Sequence, residues 1–303
     1  MADFRLSINT GFALNRYSEP EEWLRIIGRD CNVRFAQMTA DMLNPSLPAN
    51  IRAQQVKRII AAMREYNVNI NSCFTGAFTR VNHLAHPDLD IQKYWLQWFY
   101  DFVDQSVDIG ATTVGSHFGI FTAKDNNDPK LRDTRRKQNI ENWHRIAEYA
   151  KQKGLRYLTW EPMSISREQG ETISECRQLQ KDVNQNSPLP FLICLDVDHG
   201  DLSSPDPRDT DPYAWLEAFA AESPQIHLKQ SSSDKGGHWP FTEKYNSNGR
   251  IIPEKVCAIL SAKRTEPTDL ILEFSFRERQ PIDSTVIESL KESVAFWQKT
   301  IPT

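Results

Sequence analysis

The sequence lacks the features that mark membrane, secreted and nucleic-acid-binding proteins. No apolar run approaches the roughly 20 residues that span a bilayer. The N-terminal stretch MADFRLSINTGF has neither the basic nor the long apolar part of a secretory signal. The net charge is −4, from 36 basic and 40 acidic residues, so the chain offers no general attraction to a polyanion. We therefore expect a cytoplasmic protein that has neither a membrane nor a nucleic acid as its partner.

Cysteine pairs and glycine-rich turns are also scarce. The five cysteines are scattered and odd in number, and they form no C-x-x-C pair, which disfavours disulfides and zinc–thiolate sites. The segment NTGFALN follows the first strand-like run and does not match the G-x-G-x-x-G phosphate turn. These absences favour a reduced protein and disfavour a doubly wound open sheet.

Strand-like and helix-like patterns alternate along the whole chain. The strand candidates are short apolar runs without strict alternation, as expected of parallel strands buried on both faces. Apolar residues between them recur at helical spacing. Eight strands alternating with eight helices predict an α/β fold of the (β/α)8 TIM barrel type. No low-complexity linker divides the chain, so we expect one catalytic domain over residues 1–303. The predicted strands are Phe4–Ile8, Val33–Met38, Val68–Phe74, Thr112–Ser116, Arg156–Trp160, Phe191–Leu195, Gln225–Leu228 and Leu270–Phe274.

Two connections are unusually long for such a barrel. Gly200–Tyr213 is rich in proline and aspartate, and Gln230–Ile251 shows no convincing element of its own. Long connections inside a compact domain are often lids or specificity loops. Since both follow strands with candidate ligands, we expect both over the mouth of the barrel.

Four strand-like segments each end in a side chain that could bind a metal. These side chains are Glu161, Asp196, His227 and Glu273, and His199 follows Asp196 by three residues. Each alone has an ordinary explanation, such as a solvated strand end or a buried core histidine. Together they favour a site, because the carboxyl ends of parallel strands meet at one end of a barrel. Such a set suits one divalent cation, with manganese preferred and magnesium, cobalt or zinc as alternatives.

The proposed ligands also permit a proton-transfer reaction. A metal that chelates a carbonyl and a neighbouring hydroxyl acidifies the adjacent C–H and stabilises an enediolate. Glu161 and Glu273 could flank that carbon, so that one removes the proton and the other returns it. This arrangement suits an epimerase or an aldose–ketose isomerase, and the residues leave that choice open. An endonuclease IV-like hydrolase would need more than the seven histidines present and a basic face, whereas a metal-free binding barrel would bind no ion.

The strand-end motifs E-P (from 161), L-D-x-x-H (from 195), H-L-x-Q (from 227) and L-E-F (from 272) resemble those of the xylose isomerase-like sugar phosphate isomerase/epimerase superfamily. The resemblance covers essentially the whole chain, and the segments EPMSIS, CLDVDHGD and HLKQ are similar to the erythrulose-phosphate 3-epimerase and tagatose 3-epimerase-like branch. It implies a metal-dependent C3 epimerase of a small ketose or ketose phosphate, such as erythrulose phosphate. It also implies Glu161, Asp196, His227 and Glu273 as metal ligands, Glu161 and Glu273 as the acid/base pair, and His199 as a substrate contact.

Other residues near the strand ends are candidate substrate contacts. His117 ends the fourth strand, while His238 and Trp239 in the second long connection could close over a sugar. Lys229 and Arg277 lie just beyond strand ends and could pair with a phosphate.

Two expectations are less closely tied to motifs. Gln37, Thr39 and Asp41, after the second strand, could line the mouth or merely end the strand. Exposed helices or loops could pair copies of the chain into a homo-oligomer.

Overall fold

Eight parallel strands close into a barrel in the computed structural model, which describes residues 3–232 and 235–301. Consecutive barrel strands are neighbours, and the last pairs with the first. The predicted TIM barrel is therefore confirmed. The strands are β1 (Phe4–Asn9), β2 (Phe35–Thr39), β3 (Asn69–Phe74), β4 (Thr113–His117), β5 (Tyr157–Glu161), β6 (Phe191–Asp196), β7 (Gln225–Leu228), β8 (Gln230–Ser232), β9 (Lys235–Trp239) and β10 (Thr268–Leu272), of which β8 and β9 form a separate hairpin.

The described part of the chain contains ten α-helices. Proline stands in the first turn of four of them, where a missing N–H costs nothing. Four helices, two of which also begin with proline, are capped by a side chain that accepts hydrogen bonds from first-turn amides. The capping residues are Asp88, Asp128, Thr172 and Asp211. None of the described helices is both long and apolar enough to cross a membrane. The helices are α1 (Pro20–Arg25), α2 (Ala49–Tyr66), α3 (Leu89–Ile109), α4 (Ala123–Asn127), α5 (Pro129–Gln152), α6 (Ile173–Asn184), α7 (Pro212–Phe219), α8 (Glu243–Asn246), α9 (Pro253–Lys263) and α10 (Val286–Gln298).

The register of the barrel strands sets the height of the functional side chains. His117 of β4 lies opposite Glu161 of β5, and Asp196 of β6 lies opposite His227 of β7. Glu273 comes directly after β10, and its amide donates to the carbonyl of Leu228 at 3.0 Å. These side chains therefore lie at one level, at the carboxyl end of the barrel. All five cysteines are buried and free.

The expectation that Gln230–Ile251 lacks an element of its own is wrong. β8 and β9 form an antiparallel hairpin in which Gln230 pairs with Trp239 and Ser232 pairs with Lys235, and α8 follows. The strands are short and consist mostly of serine, glycine and other polar residues, so no apolar alternation marks them. The other long connection, Gly200–Tyr213, contains a 3₁₀ turn at Pro207–Thr210 and runs into the start of α7.

Candidate metal centre and substrate cavity

The four predicted ligands lie together at the carboxyl ends of their strands. Glu161, Asp196, His227 and Glu273 each offer one ligand atom, and these atoms lie within 4.8 Å of one another. The first three residues are buried, and Glu273 is partly buried. Three carboxylates and one imidazole at this spacing fit one divalent cation that prefers oxygen ligands.

The orientation of His227 is fixed from behind by residues of the first two strands. Its Nε2 donates to Gln37 Oε1 at 2.8 Å, and Asn9 Nδ2 donates to the same oxygen, also at 2.8 Å. Its Nδ1 lies 2.9 Å from Glu161 Oε1 and 3.4 Å from Glu273 Oε2. Because Gln37 engages Nε2, the Nδ1 atom faces the carboxylates and is the nitrogen that could bind a metal.

Lys229 lies inside this cluster rather than at its rim. Its side chain is completely buried, and Nζ forms an ion pair with Asp196 Oδ2. The same Nζ lies 2.9 Å from Glu273 Oε2 and 2.9 Å from His238 Nδ1. This position gives no support to the predicted phosphate contact of Lys229.

Positive charge keeps two of the carboxylates ionised. Burial alone would raise the pKa of Asp196, but the charges of His199 and Lys229 outweigh burial and hold that pKa below its usual range. Burial opposes ionisation of Glu273 as well, yet His227 and Lys229 lower its pKa to about 2. The nearby Lys229 charge, followed by burial, lowers the pKa of His238 to about 4, so this imidazole is neutral and accepts from the ammonium.

A cavity of about 480 Å³ opens above the cluster, a size that suits a small-molecule ligand. Glu161 and Glu273 line it, and so do the predicted contacts His117, His199 and His238. The structure therefore brings both candidate proton carriers to one space.

The other two predicted contacts lie away from this space. Trp239 is not among the described residues that line the cavity, and its ring stacks on Tyr245 at 5.0 Å between centroids. Arg277 is exposed and also lies outside the lining. Their roles remain predictions that the geometry does not support.

Hydrogen bonds fix both histidines on the β4–β6 side of the cavity. His117 Nε2 donates to the carbonyl of Thr79 at 3.1 Å, and burial lowers the pKa of His117 to about 4. His117 is thus neutral, and its Nδ1 can only accept. His199 Nδ1 donates to the carbonyl of Pro162 at 2.8 Å, while its Nε2 lies 3.4 Å from Asp196 Oδ2.

Three residues of the site were not predicted from the sequence, and Gln37 was predicted only to line the mouth or to end its strand. Asn9 and two arginines, Arg16 and Arg80, line the cavity, and Gln37 supports His227. Asn9 ends β1, and a polar residue at a strand end of a barrel could have indicated it. The arginines lie in connections without regular spacing, so no pattern pointed to them.

Comparison with known proteins gives the chain a family. Residues 28–300 match the model of the family described as xylose isomerase-like TIM barrel. The D-erythrulose 1-phosphate 3-epimerase of Brucella abortus (strain 2308) is 42% identical over 299 residues, which cover 98% of this chain and 96% of the relative.

Solved structures show the same fold at lower identity. A putative xylose isomerase from Rhodospirillum rubrum has a TM-score of 0.86 at 21% identity, with 99% of this chain and 100% of that chain covered. A D-psicose 3-epimerase from Clostridium cellulolyticum H10, solved with D-tagatose, has a TM-score of 0.70 at 13% identity, with the same coverage. The chain belongs to the xylose isomerase-like TIM barrel family.

Proposed function

We propose that this protein is a divalent-metal-dependent epimerase that inverts C3 of a small ketose phosphate, of which erythrulose 1-phosphate is the first candidate. The observation that carries the proposal is the cluster of three carboxylates and one histidine, of which Glu161 and Glu273 line the cavity. The 42% identity to an erythrulose phosphate epimerase over nearly the full chain supports the substrate class.

Glu161, Asp196, His227 and Glu273 would hold the cation, with Gln37 keeping His227 Nδ1 turned toward the carboxylates. When bound, a divalent cation polarises a carbonyl and stabilises negative charge on its oxygen. Side chains of the protein would transfer the protons and orient the substrate.

The two glutamates are the proton carriers of this proposal. Both line the cavity, and they follow strands that are separated by β6 and β7 in the barrel. One carboxylate takes the proton from C3 on one face of the substrate, and the other carboxyl group returns a proton to the opposite face. His199 and His117, fixed by backbone carbonyls, would orient substrate hydroxyl groups.

The phosphate group would bind to the arginines of the cavity wall. Arg16 is held by an ion pair with Asp283 and by a 3.0 Å hydrogen bond to the carbonyl of Phe276. Arg80 is held by Glu168, with a shortest contact of 2.7 Å. Each guanidinium is thereby oriented by a group behind it, which is a suitable arrangement for binding a phosphate through the remaining N–H groups.

Hydrogen exchange in D₂O tests the reaction. Metal-loaded protein is incubated with erythrulose 1-phosphate, and with free erythrulose for comparison. NMR follows the uptake of deuterium, and polarimetry follows inversion at C3, because the two C3 forms of a four-carbon ketose are enantiomers. We expect deuterium at C3 and formation of the C3 epimer, with none in metal-free protein. In R16M and R80M variants, KM should rise for the phosphate ester and stay unchanged for the free sugar.

The outcomes separate the competing functions. Exchange at C1 of free erythrulose, whose C1 hydroxyl is not esterified, without inversion of C3 would identify an aldose–ketose isomerase on the same site. No exchange with any ketose or ketose phosphate, in protein that binds the metal, would rule out both reactions.

A further inference from the structure

A buried lysine among metal ligands is unusual, because burying an ammonium is unfavourable unless it is fully paired. Lys229 is buried completely. Its ammonium forms hydrogen bonds with Glu273 and His238 and an ion pair with Asp196, so three acceptors surround its three N–H groups. No donor is left for a substrate phosphate. Its function must therefore be sought in the carboxylates that it touches.

We propose that Lys229 is a positioning residue that keeps Asp196 and Glu273 as one-oxygen ligands and so preserves open coordination positions for the substrate. The inference rests on the proposed metal-dependent function. It concerns how the ligand set is arranged, and the comparisons with known proteins assign Lys229 no role.

The contacts of Asp196 support this role. Its Oδ1 accepts from the amide of Asp198 at 2.7 Å, and its Oδ2 pairs with Lys229. Both oxygens are therefore engaged on the protein side. A carboxylate that is held in this way binds a metal through one oxygen more readily than through two.

Glu273 is held by the same ammonium. Lys229 engages Glu273 Oε2 at 2.9 Å. A six-coordinate ion with four one-atom ligands keeps two positions free, and two adjacent oxygens of a ketose would need both. If either carboxylate bound the ion through two oxygens, it would occupy one of these two free coordination positions.

The charges point the same way. With His227 neutral, as a metal-bound imidazole would be, three carboxylates and one ammonium leave two negative charges in the ligand cluster, which one divalent cation would neutralise. Without Lys229, the excess negative charge would bind the cation more tightly but leave it less accessible to substrate.

The hairpin β8–β9 holds the lysine in place. His238 on β9 accepts from Lys229 Nζ, and the hairpin is attached to the end of β6 through Asp198. Asp198 Oδ2 accepts from the amide of Gly237 at 3.0 Å, and its Oδ1 accepts from Arg250 at 3.1 Å. A Cβ at position 236 would lie 3.0 Å from Asp198 Oδ2, so the close approach favours glycine there. These contacts prevent the lysine from leaving the cluster.

The test measures Mn²⁺ directly, in full-length wild-type protein and in K229M. Free Mn²⁺ is followed by EPR to obtain the dissociation constant, and ¹⁷O-water measurements count the water molecules on the bound ion. In K229M we expect about one bound water fewer, because a released carboxylate oxygen takes its position. We expect the Mn²⁺ dissociation constant to fall by roughly tenfold, since the nearest positive charge is gone. The kcat for epimerisation should fall in the same variant.

Two further variants control this experiment. K229Q keeps an N–H donor without the charge, and it replaces K229M if the latter does not fold. In K229Q the Mn²⁺ dissociation constant should fall, while the number of bound water molecules stays at the wild-type value. K153M removes an exposed lysine that pairs with Asp104 at 2.7 Å, and it should change neither value.

The outcomes distinguish this inference from the proposed function. Wild-type protein that binds no Mn²⁺ would overturn the metal-dependent function itself. If the wild type binds Mn²⁺ and is active, two results for K229M would overturn only the role of Lys229. These are an unchanged number of bound water molecules and a weaker affinity for Mn²⁺.

Discussion

Two groups of buried carboxylates lie at opposite ends of the same barrel, and they differ in how their charge is balanced. At the amino end, Asp269 has one cationic partner among the described residues, Arg5, at 2.7 Å, and accepts from Asn71 at 3.3 Å. At the mouth, three carboxylates lie together, and two of them, Asp196 and Glu273, share the ammonium of Lys229. Burial raises the pKa of Asp269, whereas neighbouring positive charges lower the pKa values of Asp196 and Glu273.

The difference distinguishes a carboxylate in a balanced ion pair from the cluster that we propose to be functional. A carboxylate matched by one partner needs nothing further to complete it. A cluster with excess negative charge that is nevertheless held ionised is incomplete without a cation, and such clusters are typical of active sites.

The largest expected effect comes from removing a proton carrier. Glu161→Gln or Glu273→Gln should lower kcat for epimerisation by roughly 10³-fold, because an amide cannot accept the C3 proton. Steady-state kinetics with erythrulose 1-phosphate measures this effect. Asp269→Asn is the matched control at the other end of the barrel, and its kcat should equal that of the wild type. An equal loss of kcat in Asp269→Asn and in the glutamate variants would contradict the distinction between the two ends of the barrel.

A second experiment compares stability at the two ends in metal-free protein. Asp196→Asn should lower the free energy of unfolding by about 3 kcal/mol, since it leaves the buried Lys229 short of a charged partner. Asp269→Asn should lower it by less than about 1 kcal/mol, because the Arg5 side chain is 27% exposed and stays hydrated. Urea denaturation at pH 7 measures both values. A larger loss of unfolding free energy in Asp269→Asn than in Asp196→Asn would contradict the view that Asp269 is the carboxylate with balanced charge.

The effect that is smallest per unit of change is a slope with pH, and it concerns His117, which lines the cavity and whose pKa is lowered by burial. Its folded pKa of about 4 lies below the ordinary value of 6.5, so between these values the unfolded chain binds a proton that the folded protein does not. Stability should therefore fall as the pH drops from about 6.5 to about 4, by up to about 1.4 kcal/mol per pH unit from this residue. Denaturation as a function of pH measures the slope.

His117→Gln supplies the control for that slope. The variant should show a flatter profile than the wild type over the same pH range, because the titrating group is gone. If the wild type and His117→Gln gave stability profiles of the same shape, His117 would bind its proton equally in the folded and unfolded protein, and its lowered pKa would be ruled out.

The sequence was sufficient to predict the barrel and the members of the ligand cluster. Each barrel strand spans four to six residues, and each predicted ligand stands at the end of a strand or directly after it. Parallel strands must bring those ends together. The chemistry of the side chains then indicated a divalent cation before any distance was known.

The position of Lys229 could have been inferred as well. Side chains two residues apart on a strand point to the same face, so an inward His227 implies an inward Lys229 if the strand continues. The course of the connections could not be inferred, because Arg16, Arg80 and the hairpin depend on contacts between segments far apart in the chain. Trp239 was predicted as a sugar platform, yet its partner Tyr245 lies in the same connection, and no pattern revealed that pairing.

The hydrogen bond between His227 and Gln37 spans 190 residues of sequence. All four predicted ligands come from the second half of the chain, whereas the group that orients the histidine comes from the first. A polypeptide comprising only the second half would therefore contain every ligand but would lack the contact that selects the coordinating nitrogen. The appearance of high-affinity metal binding during refolding would mark the moment at which the first strands dock against the last, and the ion would serve as a reporter of barrel closure.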